Sequence, residues 1–259
     1  MERPISWYFK RSRDIIHEEG LVAFIKKAQK YASVRTRFDR YITRLLSRFY
    51  VKGFHKLYYY SIIESAPEST RYLGVPIVKN PLDCWVYQEI IYETKPKVII
   101  ETGTAQGGSA LFLASICDLV GGEVITIDIE NCNIPTHPRI TKITGDSVSE
   151  KTVNKVEEIV KGRKGMVILD SCHEKEHVLK EMELYSKFVS VGNYLVVEDT
   201  NINGHPVLPG WGEGPMEAVK EFIRNRDDFE VDRNIEKFLL TFHPKGFLKR
   251  VKPNRGDKK

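Results

Sequence analysis

The sequence has few cysteines and no long apolar run. Its four cysteines form no C-x-x-C pair, so their spacing predicts neither a disulfide framework nor a zinc site. No stretch approaches the roughly 18 apolar residues of a membrane-spanning helix, and the N-terminus lacks the apolar core of a signal peptide. At 41% hydrophobic and 29% charged residues, the composition suits a globular protein with a sizeable core. We therefore expect a cytoplasmic protein rather than a secreted or membrane-spanning one.

Positive charge is concentrated near the N-terminus. Residues 1–60 contain fourteen Lys and Arg against five Asp and Glu, whereas residues 61–259 contain twenty-six against thirty. The slightly acidic main body argues against a nucleic-acid groove across it. Within 15–60, apolar and aromatic residues recur every three or four positions, which predicts amphipathic helices with breaks at Gly20 and Gly53. We expect this basic extension to lie on an anionic membrane surface, to contact a partner or a second copy of the chain, or to pack on its own domain.

The rest of the chain divides into a linker, a domain and a tail. Residues 61–80 contain the turn formers Pro and Gly, which predicts an irregular linker. Residues 81–250 form the predicted domain, and 251–259 form a short basic tail. A helix is predicted over 82–93 at the start of the domain, with Asp83 placed to cap its first turn.

Short β-rich runs alternate with helical patterns through the predicted domain. The β-rich runs lie at 97–101, 123–128, 140–144, 166–170 and 194–199. The helical patterns lie near 107–120, 149–161, 174–188 and 215–226. Four of the β-rich runs are continuously apolar, which is typical of strands buried on both faces of a parallel sheet. The sequence therefore predicts an α/β fold with a doubly wound, mostly parallel sheet, and an antiparallel edge hairpin from 229–232 and 238–242.

A glycine-rich turn follows the first of these strands, in E-T-G-T-A-Q-G-G-S over 101–109. In doubly wound sheets the ligand lies beyond the carboxyl ends of the strands, and Gly103 and Gly107 would let the backbone approach it closely. The dinucleotide fingerprint G-x-G-x-x-G is not matched, because Ala105 stands at its second glycine. The spacing E-x-G-x-x-x-G-x-S instead resembles the first motif of class I methyltransferases, particularly the catechol O-methyltransferase-like branch. This resemblance implies S-adenosylmethionine (SAM), and an NAD(P)-dependent oxidoreductase is the alternative.

The next two strand ends also carry candidate cofactor residues. Asp128 closes the second strand, where a carboxylate can accept both ribose hydroxyls of an adenosine. After the third strand, Asp146 or Ser147 could meet the adenine. Together with Glu101, Gly103, Gly107 and Ser109 of the glycine-rich turn, these residues form the predicted cofactor-binding set.

Acidic residues end the fourth and fifth strands, in L-D-S-C-H and V-V-E-D-T. If these strands are adjacent, Asp170, Glu198 and Asp199 converge above the sheet, where three carboxylates repel each other unless a cation is present. Oxygen ligands favour Mg²⁺, Mn²⁺ or Ca²⁺. We predict a divalent-metal site. The alternative is that Asp170 caps a helix while Glu198 and Asp199 are solvated turn residues.

The motifs in combination are more specific than any one of them. P-L-D-C-W-V-Y-Q-E-I-I, E-T-G-T-A-Q-G-G-S, L-D-S-C-H, V-V-E-D-T and G-E-G-P-M-E-A-V-K-E-F, spread over 81–224, resemble the cephalosporin hydroxylase family. The resemblance implies a class I methyltransferase fold, kinship with rhamnosyl O-methyltransferases, and the use of SAM with Mg²⁺. Positions that match metal ligands and cofactor contacts of that family are Asp170, Glu198, Asp199, Gly103 and Asp128.

His173 marks a departure from catechol O-methyltransferase, which has a lysine as base three residues after its first metal aspartate. An imidazole is suited to take a proton near neutral pH, so His173 is the candidate catalytic base. The alternative is that it orients Asp170 through a hydrogen bond. Carboxylates raise the pKa of His173 and a metal ion lowers it, so the sequence predicts no direction of shift. His177, one helical turn further on, is interpreted as an ordinary surface residue.

The combined interpretation is a SAM- and divalent-metal-dependent O-methyltransferase acting on a hydroxyl of a glycan, a glycolipid or a small metabolite. The metal would lower the pKa of that hydroxyl, and the resulting oxyanion would attack the cofactor methyl group. The Gly- and Pro-rich loop 203–215, which contains Trp211, is a candidate wall of the substrate site or an ordinary surface loop. The rival interpretation is a non-catalytic protein that tethers a partner or a membrane through its basic extension.

Overall fold

The computed structural model describes residues 5–35, 37–224 and 226–253 of the chain. The chain divides between Lys52 and Gly53 into two units. The first unit contains basic helices, and the second contains the α/β domain. Most of the predicted basic tail lies outside the described residues.

The basic N-terminal segment is helical, as predicted. It contains α1 (Ile5–Glu19), α2 (Leu21–Arg35) and α3 (Arg37–Tyr58), and Gly20 separates the first two as predicted. Gly53, predicted as a second break, instead lies inside α3, because a single glycine weakens a helix by about 1 kcal/mol without removing a backbone hydrogen bond. None of the described helices is long and apolar enough to cross a membrane.

The segment predicted as an irregular linker contains regular structure. A π-helix spans Tyr59–Glu64, and β1 (Arg71–Tyr72) pairs antiparallel with β2 (Val75–Pro76). Four residues separate this hairpin from the helix that follows, and they include the buried Lys79. The linker therefore contributes a buried charged side chain to the domain.

Helix α4 (Pro81–Thr94) begins one residue earlier than predicted and is capped by a different residue. The Asn80 side chain accepts a hydrogen bond from the Leu82 amide, which is the role that sequence reasoning assigned to Asp83. Asp83 is buried, and its carboxylate accepts from the distant Phe242 amide at 2.8 Å instead. Asp83 therefore connects α4 to the chain near residue 242 and does not cap the helix.

Seven strands form one sheet with helices on both faces. The strands are β3 (Val98–Thr102), β4 (Glu123–Asp128), β5 (Ile140–Thr144), β6 (Gly165–Leu169), β7 (Tyr194–Val197), β8 (Phe229–Val231) and β9 (Phe247–Arg250). The helices that follow α4 are α5 (Gly108–Val120), α6 (Glu150–Val160), α7 (Lys175–Tyr185) and α8 (Pro215–Arg224). The strand order is β5-β4-β3-β6-β7-β9-β8, and only β8 and β9 break the parallel arrangement within this described sheet. The doubly wound, mostly parallel fold is confirmed.

The antiparallel edge uses different residues from those predicted. β8 lies in the predicted run 229–232, but its partner is β9, and residues 238–242 are irregular. Leu240 and Phe242 are buried in a small apolar cluster that also contains Ile202. The prediction of a strand over 238–242 is wrong because these side chains fill that cluster instead of alternating across a sheet.

The sheet topology brings three strand ends together. Apolar clusters cover both faces of the parallel strands. The strand register pairs Thr102 with Leu169 and Leu169 with Val197, so β3, β6 and β7 end at the same level. Because the crossovers on the two sides of β3 run in opposite directions, the carboxyl ends of these strands flank a topological switch point. The residues after these strands therefore share one region of the molecule.

Candidate active site

Two acidic residues continue directly from adjacent strands. The Asp170 amide donates to the Thr102 carbonyl, and the Glu198 amide donates to the Leu169 carbonyl, each at 3.0 Å. Lys79 joins the two side chains, with Nζ 2.5 Å from Asp170 Oδ2 and 2.6 Å from Glu198 Oε1. Burial acts to lower the pKa of Lys79, but the two carboxylates raise it well above its ordinary value. Lys79 is therefore a charged ammonium between two carboxylates.

A left-handed turn at Asp199 gives two consecutive carboxylates different partners. Its φ of 51° is uncommon for a residue with a side chain, and its amide donates to His243 Nδ1 at 3.1 Å. Asp199 Oδ2 lies 3.2 Å from His173 Nε2. Glu198 instead accepts from the Tyr87 hydroxyl at 2.7 Å. We call Asp170, Glu198 and Asp199 the acidic centre. The turn separates it into an inner group, in which Glu198 contacts Lys79 and Tyr87, and an outer group, in which Asp170 and Asp199 lie near His173.

His173 lies between two carboxylates of the outer group, just before α7. Its Nε2 is 3.4 Å from Asp170 Oδ1 and 3.2 Å from Asp199 Oδ2. Burial acts to lower the pKa of His173, but the hydrogen bond to Asp170 and the charge of Asp199 raise it to about 9. The imidazole is therefore protonated at neutral pH in this arrangement. The half-exposed Trp211 donates its indole Nε1 to the His173 carbonyl at 3.3 Å.

These side chains suit a hard divalent cation. Among the described residues, Asp170, His173 and Asp199 form a group whose ligand atoms lie within 4.8 Å of one another. Burial raises the pKa of Glu198 and of Asp199, because the charged forms are costly away from water, and a cation offsets that cost. Carboxylate oxygens favour Mg²⁺, Mn²⁺ or Ca²⁺. The structure thus brings Asp170 and Asp199 together with His173, and it places Glu198 beside Lys79.

Gly103 and Gly107, in the turn after β3, lie so close to other segments of the chain that a side chain would clash with them. Gly103 has a φ of +87°, and a Cβ there would lie 2.0 Å from the backbone oxygen of Asp170. Gly107 has a φ of +79°, and a Cβ there would lie 2.7 Å from Ile134 Cβ. A larger residue at either position would displace a neighbouring segment. Both glycines therefore pack the turn against the protein, and their contact with a cofactor stays a prediction.

Glu101 and Ser109 connect the glycine-rich turn to the sheet. Glu101 is fully buried and accepts hydrogen bonds from the Ser109 hydroxyl and, at 2.8 Å, from the Thr126 hydroxyl. Burial raises the pKa of Glu101 to about 7. The Thr104 hydroxyl lies 2.8 Å from that of Thr126 and extends this network. Glu101 and Ser109 therefore hold the turn in place. Thr104 and Thr126 also belong to this hydrogen-bond network, although the sequence pattern gave neither of them a role.

Asp128 supports the same turn. Its Oδ2 accepts from the Thr104 amide at 2.9 Å and the Ala105 amide at 3.1 Å, and its Oδ1 accepts from the Glu130 amide at 3.0 Å. Burial acts to raise the pKa of Asp128, but these three amides hold it below its ordinary value. The Cys132 side chain also hydrogen-bonds this carboxylate, and the contact of Asp128 with a ribose hydroxyl stays a prediction.

The candidate adenine contacts after β5 differ in burial. Asp146 is exposed, and its Oδ1 accepts from the Val148 amide at 3.0 Å. Ser147 is buried, with its hydroxyl 3.2 Å from His177 Nε2. The interpretation of His177 as an ordinary surface residue is wrong, because it also lies 3.6 Å from the fully buried Glu181 carboxylate, which raises the pKa of the imidazole. Helical spacing placed His177 on α7 without revealing this polar cluster.

Three residues that contact the acidic centre lie outside the predicted set, namely Lys79, Tyr87 and His243. Tyr87 donates to one oxygen of Glu198, and His243 Nε2 lies 3.6 Å from the other. Tyr87 belongs to the motif P-L-D-C-W-V-Y-Q-E-I-I, so the resemblance to the family could have pointed to it. Lys79 lies in the segment interpreted as a linker, and His243 follows the run interpreted as an edge strand. No local pattern in the sequence points either residue toward the centre.

The fold and the strand ends define a Rossmann-like protein of the class I methyltransferase type. Residues 65–251 match the family described as Rhamnosyl O-methyltransferase/CmcI. The chain is 37% identical over 205 residues to the rhamnosyl O-methyltransferase of Mycobacterium tuberculosis, covering 75% of this chain and 82% of that protein. The Mycobacterium leprae enzyme of the same name is 37% identical over 204 residues, covering 75% and 88%. The chain belongs to the Rhamnosyl O-methyltransferase/CmcI family, and this confirms the predicted resemblance and the prediction of an O-methyltransferase.

Solved structures of CmcI share the fold. An apo structure aligns with a TM-score of 0.56 at 23% identity, covering 71% of this chain and 77% of that one. A CmcI structure with Mg and SAM aligns with a TM-score of 0.56 at 23% identity, covering 73% and 79%. The likeness at this identity concerns the fold, and it agrees with the doubly wound architecture described above.

Proposed function

We propose that this protein is a SAM- and divalent-metal-dependent O-methyltransferase that acts on a hydroxyl of a glycan, a glycolipid or a small metabolite. One observation carries the proposal: the carboxylate centre lies directly against the glycine-rich turn. The backbone oxygen of Asp170 is so close to Gly103 that no side chain fits there. A methyl donor at the turn and a hydroxyl at the carboxylates would therefore be neighbours, and such proximity is a large source of rate.

For the cofactor, we assign the ends of β3, β4 and β5. Asp128 would accept the ribose hydroxyls, and Asp146 or Ser147 would lie at the adenine. Glu101 and Ser109 would hold the turn that faces the methionine part. CmcI, which shares this fold, is described as binding Mg and SAM, and this supports the choice of cofactor.

For the metal, we assign Asp170, Glu198 and Asp199 as ligands of Mg²⁺, with Mn²⁺ or Ca²⁺ as alternatives. A bound divalent ion lowers the pKa of a substrate hydroxyl at such a site. His173 would take the hydroxyl proton at Nε2, which requires that local positive charge lower its pKa from about 9. In the alternative role, His173 holds the Asp170 carboxylate in place through their contact at 3.4 Å.

Trp211 supports a substrate with a ring. Its indole is half exposed, and its ring centroid lies 6.5 Å from that of His173. It therefore presents a flat apolar face beside the candidate base, on which a substrate ring could pack. The relatives named rhamnosyl O-methyltransferases support a glycan as the first class to test.

Methyl transfer from SAM to a panel of hydroxylated acceptors, rhamnosides first, tests this function by mass spectrometry. We expect a monomethylated product with Mg²⁺ and none after treatment with EDTA, with activity returning when Mg²⁺ is restored. Absence of transfer to every hydroxylated acceptor would contradict O-methyl transfer. Full activity after exhaustive chelation would contradict the metal while leaving the methyltransferase assignment intact.

The oxidoreductase and the non-catalytic tether are not favoured by the family to which the chain belongs. We propose that the enzyme is cytoplasmic and contacts an anionic membrane surface through its basic extension, residues 1–60. The exposed apolar side chains of Leu21, Val22 and Ile25 on α2, next to the exposed Lys26, support this proposal. A partner protein or a second copy of the chain is the alternative occupant of this surface.

A further inference from the structure

Lys79 lies outside every catalytic motif, yet its ammonium joins two of the proposed metal ligands. Its Nζ is 2.5 Å from Asp170 Oδ2 and 2.6 Å from Glu198 Oε1, and its side chain is only 5% exposed. The adjacent Asn80 caps α4, which anchors the backbone at this position. A fixed backbone and two short contacts therefore hold the ammonium at the centre of the acidic group.

The burial of this ammonium distinguishes it from the surface lysines. Taking an ammonium or a carboxylate out of water is costly unless an opposite charge is adjacent. Here the Glu198 side chain is 3% exposed and accepts a further hydrogen bond from Tyr87. Asp170 and Glu198, which follow adjacent strands, would repel each other if Lys79 did not lie between them.

We propose that Lys79 is the built-in counter-ion of the acidic centre: it holds Asp170 and Glu198 together when no divalent ion is bound, and its charge weakens the binding of that ion. The inference rests on the proposed metal site. Two consequences follow. Without the ammonium, the metal-free protein is destabilised by carboxylate repulsion. A divalent cation then binds more tightly, because it no longer meets a like charge, and it restores the lost stability.

The test is the Lys79→Met variant of the full-length chain, which keeps the length of the side chain and removes its charge. In EDTA we expect its melting temperature to fall by about 5–15 °C, as for a broken buried ion pair in a domain of this size. Saturating MgCl₂ should recover most of this loss and should stabilise the wild type less. Calorimetry with MgCl₂ alone should show roughly ten-fold tighter binding to the variant.

Lys187→Met is the matched control. Lys187 Nζ lies 2.6 Å from Glu157 Oε2, but both side chains are largely exposed. An exposed pair contributes less than about 1 kcal/mol, so the melting temperature should change by no more than about 3 °C and should not depend on Mg²⁺. Equal effects of the two lysine variants in EDTA would overturn the proposal.

Two further results would also overturn it: a loss of stability in Lys79→Met that Mg²⁺ does not reverse, or weaker Mg²⁺ binding than in the wild type. If Lys79→Met does not fold, the double variant Lys79→Met with Asp170→Asn tests the proposal instead, because it removes the repulsion between residues 170 and 198 together with the ammonium. Recovery of folding supports the counter-ion role, and failure contradicts it. Absence of Mg²⁺ binding by both the wild type and Lys79→Met would refute the proposed metal site, while the melting temperatures in EDTA would still decide the role of Lys79.

Discussion

Among single residues, Asp128 and Asp146 are both candidate cofactor contacts, but their surroundings differ. Asp128 accepts hydrogen bonds from three backbone amides, whereas Asp146 is exposed and accepts one from the Val148 amide. We expect Asp128→Asn to weaken SAM binding about ten- to a hundred-fold, because losing a charged acceptor costs ~1.5–3 kcal/mol. Asp146→Asn is the comparison within the same proposed site, and it should cost less, no more than about 0.5 kcal/mol, because its carboxylate is exposed to solvent. Calorimetry with SAM measures both variants.

Equal losses in the two aspartate variants would argue against Asp128 as the ribose ligand. The same titration tests the choice of cofactor. Tighter binding of NAD than of SAM would contradict the methyltransferase assignment, because a dinucleotide site is the alternative for a glycine-rich turn of this type.

The role of His173 can be separated from that of its carboxylate neighbours by kinetics. If His173 is the base, His173→Ala should reduce turnover by roughly 10²–10⁴, the usual range for general-base catalysis. Affinities for Mg²⁺ and SAM should change little, since the assigned oxygen ligands remain. Turnover restored by excess Mg²⁺ would indicate instead that His173 positions Asp170. Undiminished turnover would remove His173 from the mechanism.

On the scale of the secondary-structure elements, the glycine-rich turn packs closely against the residue that follows β6, Asp170. In Gly103→Ala, the added Cβ would meet the backbone oxygen of Asp170 at 2.0 Å in a left-handed conformation. We expect a loss of ~2–5 kcal/mol in the free energy of unfolding, from steric overlap together with backbone strain. Mg²⁺ and SAM binding should both weaken, because the clash displaces Asp170 and the turn together. Urea denaturation and calorimetry measure these effects.

Gly210→Ala is the control for the backbone contribution. Gly210 has a φ of +92°, but a Cβ there would have no neighbour within 4 Å. Its substitution should therefore cost only the conformational term, ~1–2 kcal/mol, and leave Mg²⁺ affinity unchanged. If Gly103→Ala were no more harmful than Gly210→Ala, the close packing of the turn against β6 would not matter for stability.

For the whole molecule, the uneven distribution of charge predicts where a membrane would bind. Reversing Lys26 and Lys27 to Glu in the full-length chain should reduce flotation with anionic liposomes, because each basic residue near the surface contributes about 1 kcal/mol. Both residues are exposed on α2. Reversing Lys151 and Lys155, which are exposed on α6, alters net charge equally and should have little effect. Flotation that does not depend on anionic lipid, or equal effects of the two pairs, would reject the membrane surface.

The sequence by itself determined the α/β alternation and the positions of the acidic residues at strand ends. Strands buried on both faces must be continuously apolar, and this requirement is visible within five or six residues. Asp170 and Glu198 could be placed in one region because parallel strands end at the same edge of a sheet. The glycine-rich turn was also recognisable, since the residues that define its conformation are consecutive. These features depend on residues that are close together in the sequence, so a sequence pattern can predict them.

Only the tertiary structure decided which side chains balance the acidic centre and what forms the sheet edge. Lys79 meets Asp170 across 91 positions of the chain, and nothing in its own segment indicates that pairing. The left-handed turn at Asp199 directs that carboxylate to His173 and leaves Glu198 with Lys79. The antiparallel partner of the edge strand β8 lies at 247–250, since the apolar run before it fills a separate cluster. Each outcome depends on a contact between distant residues, where burial and charge outweigh local preference.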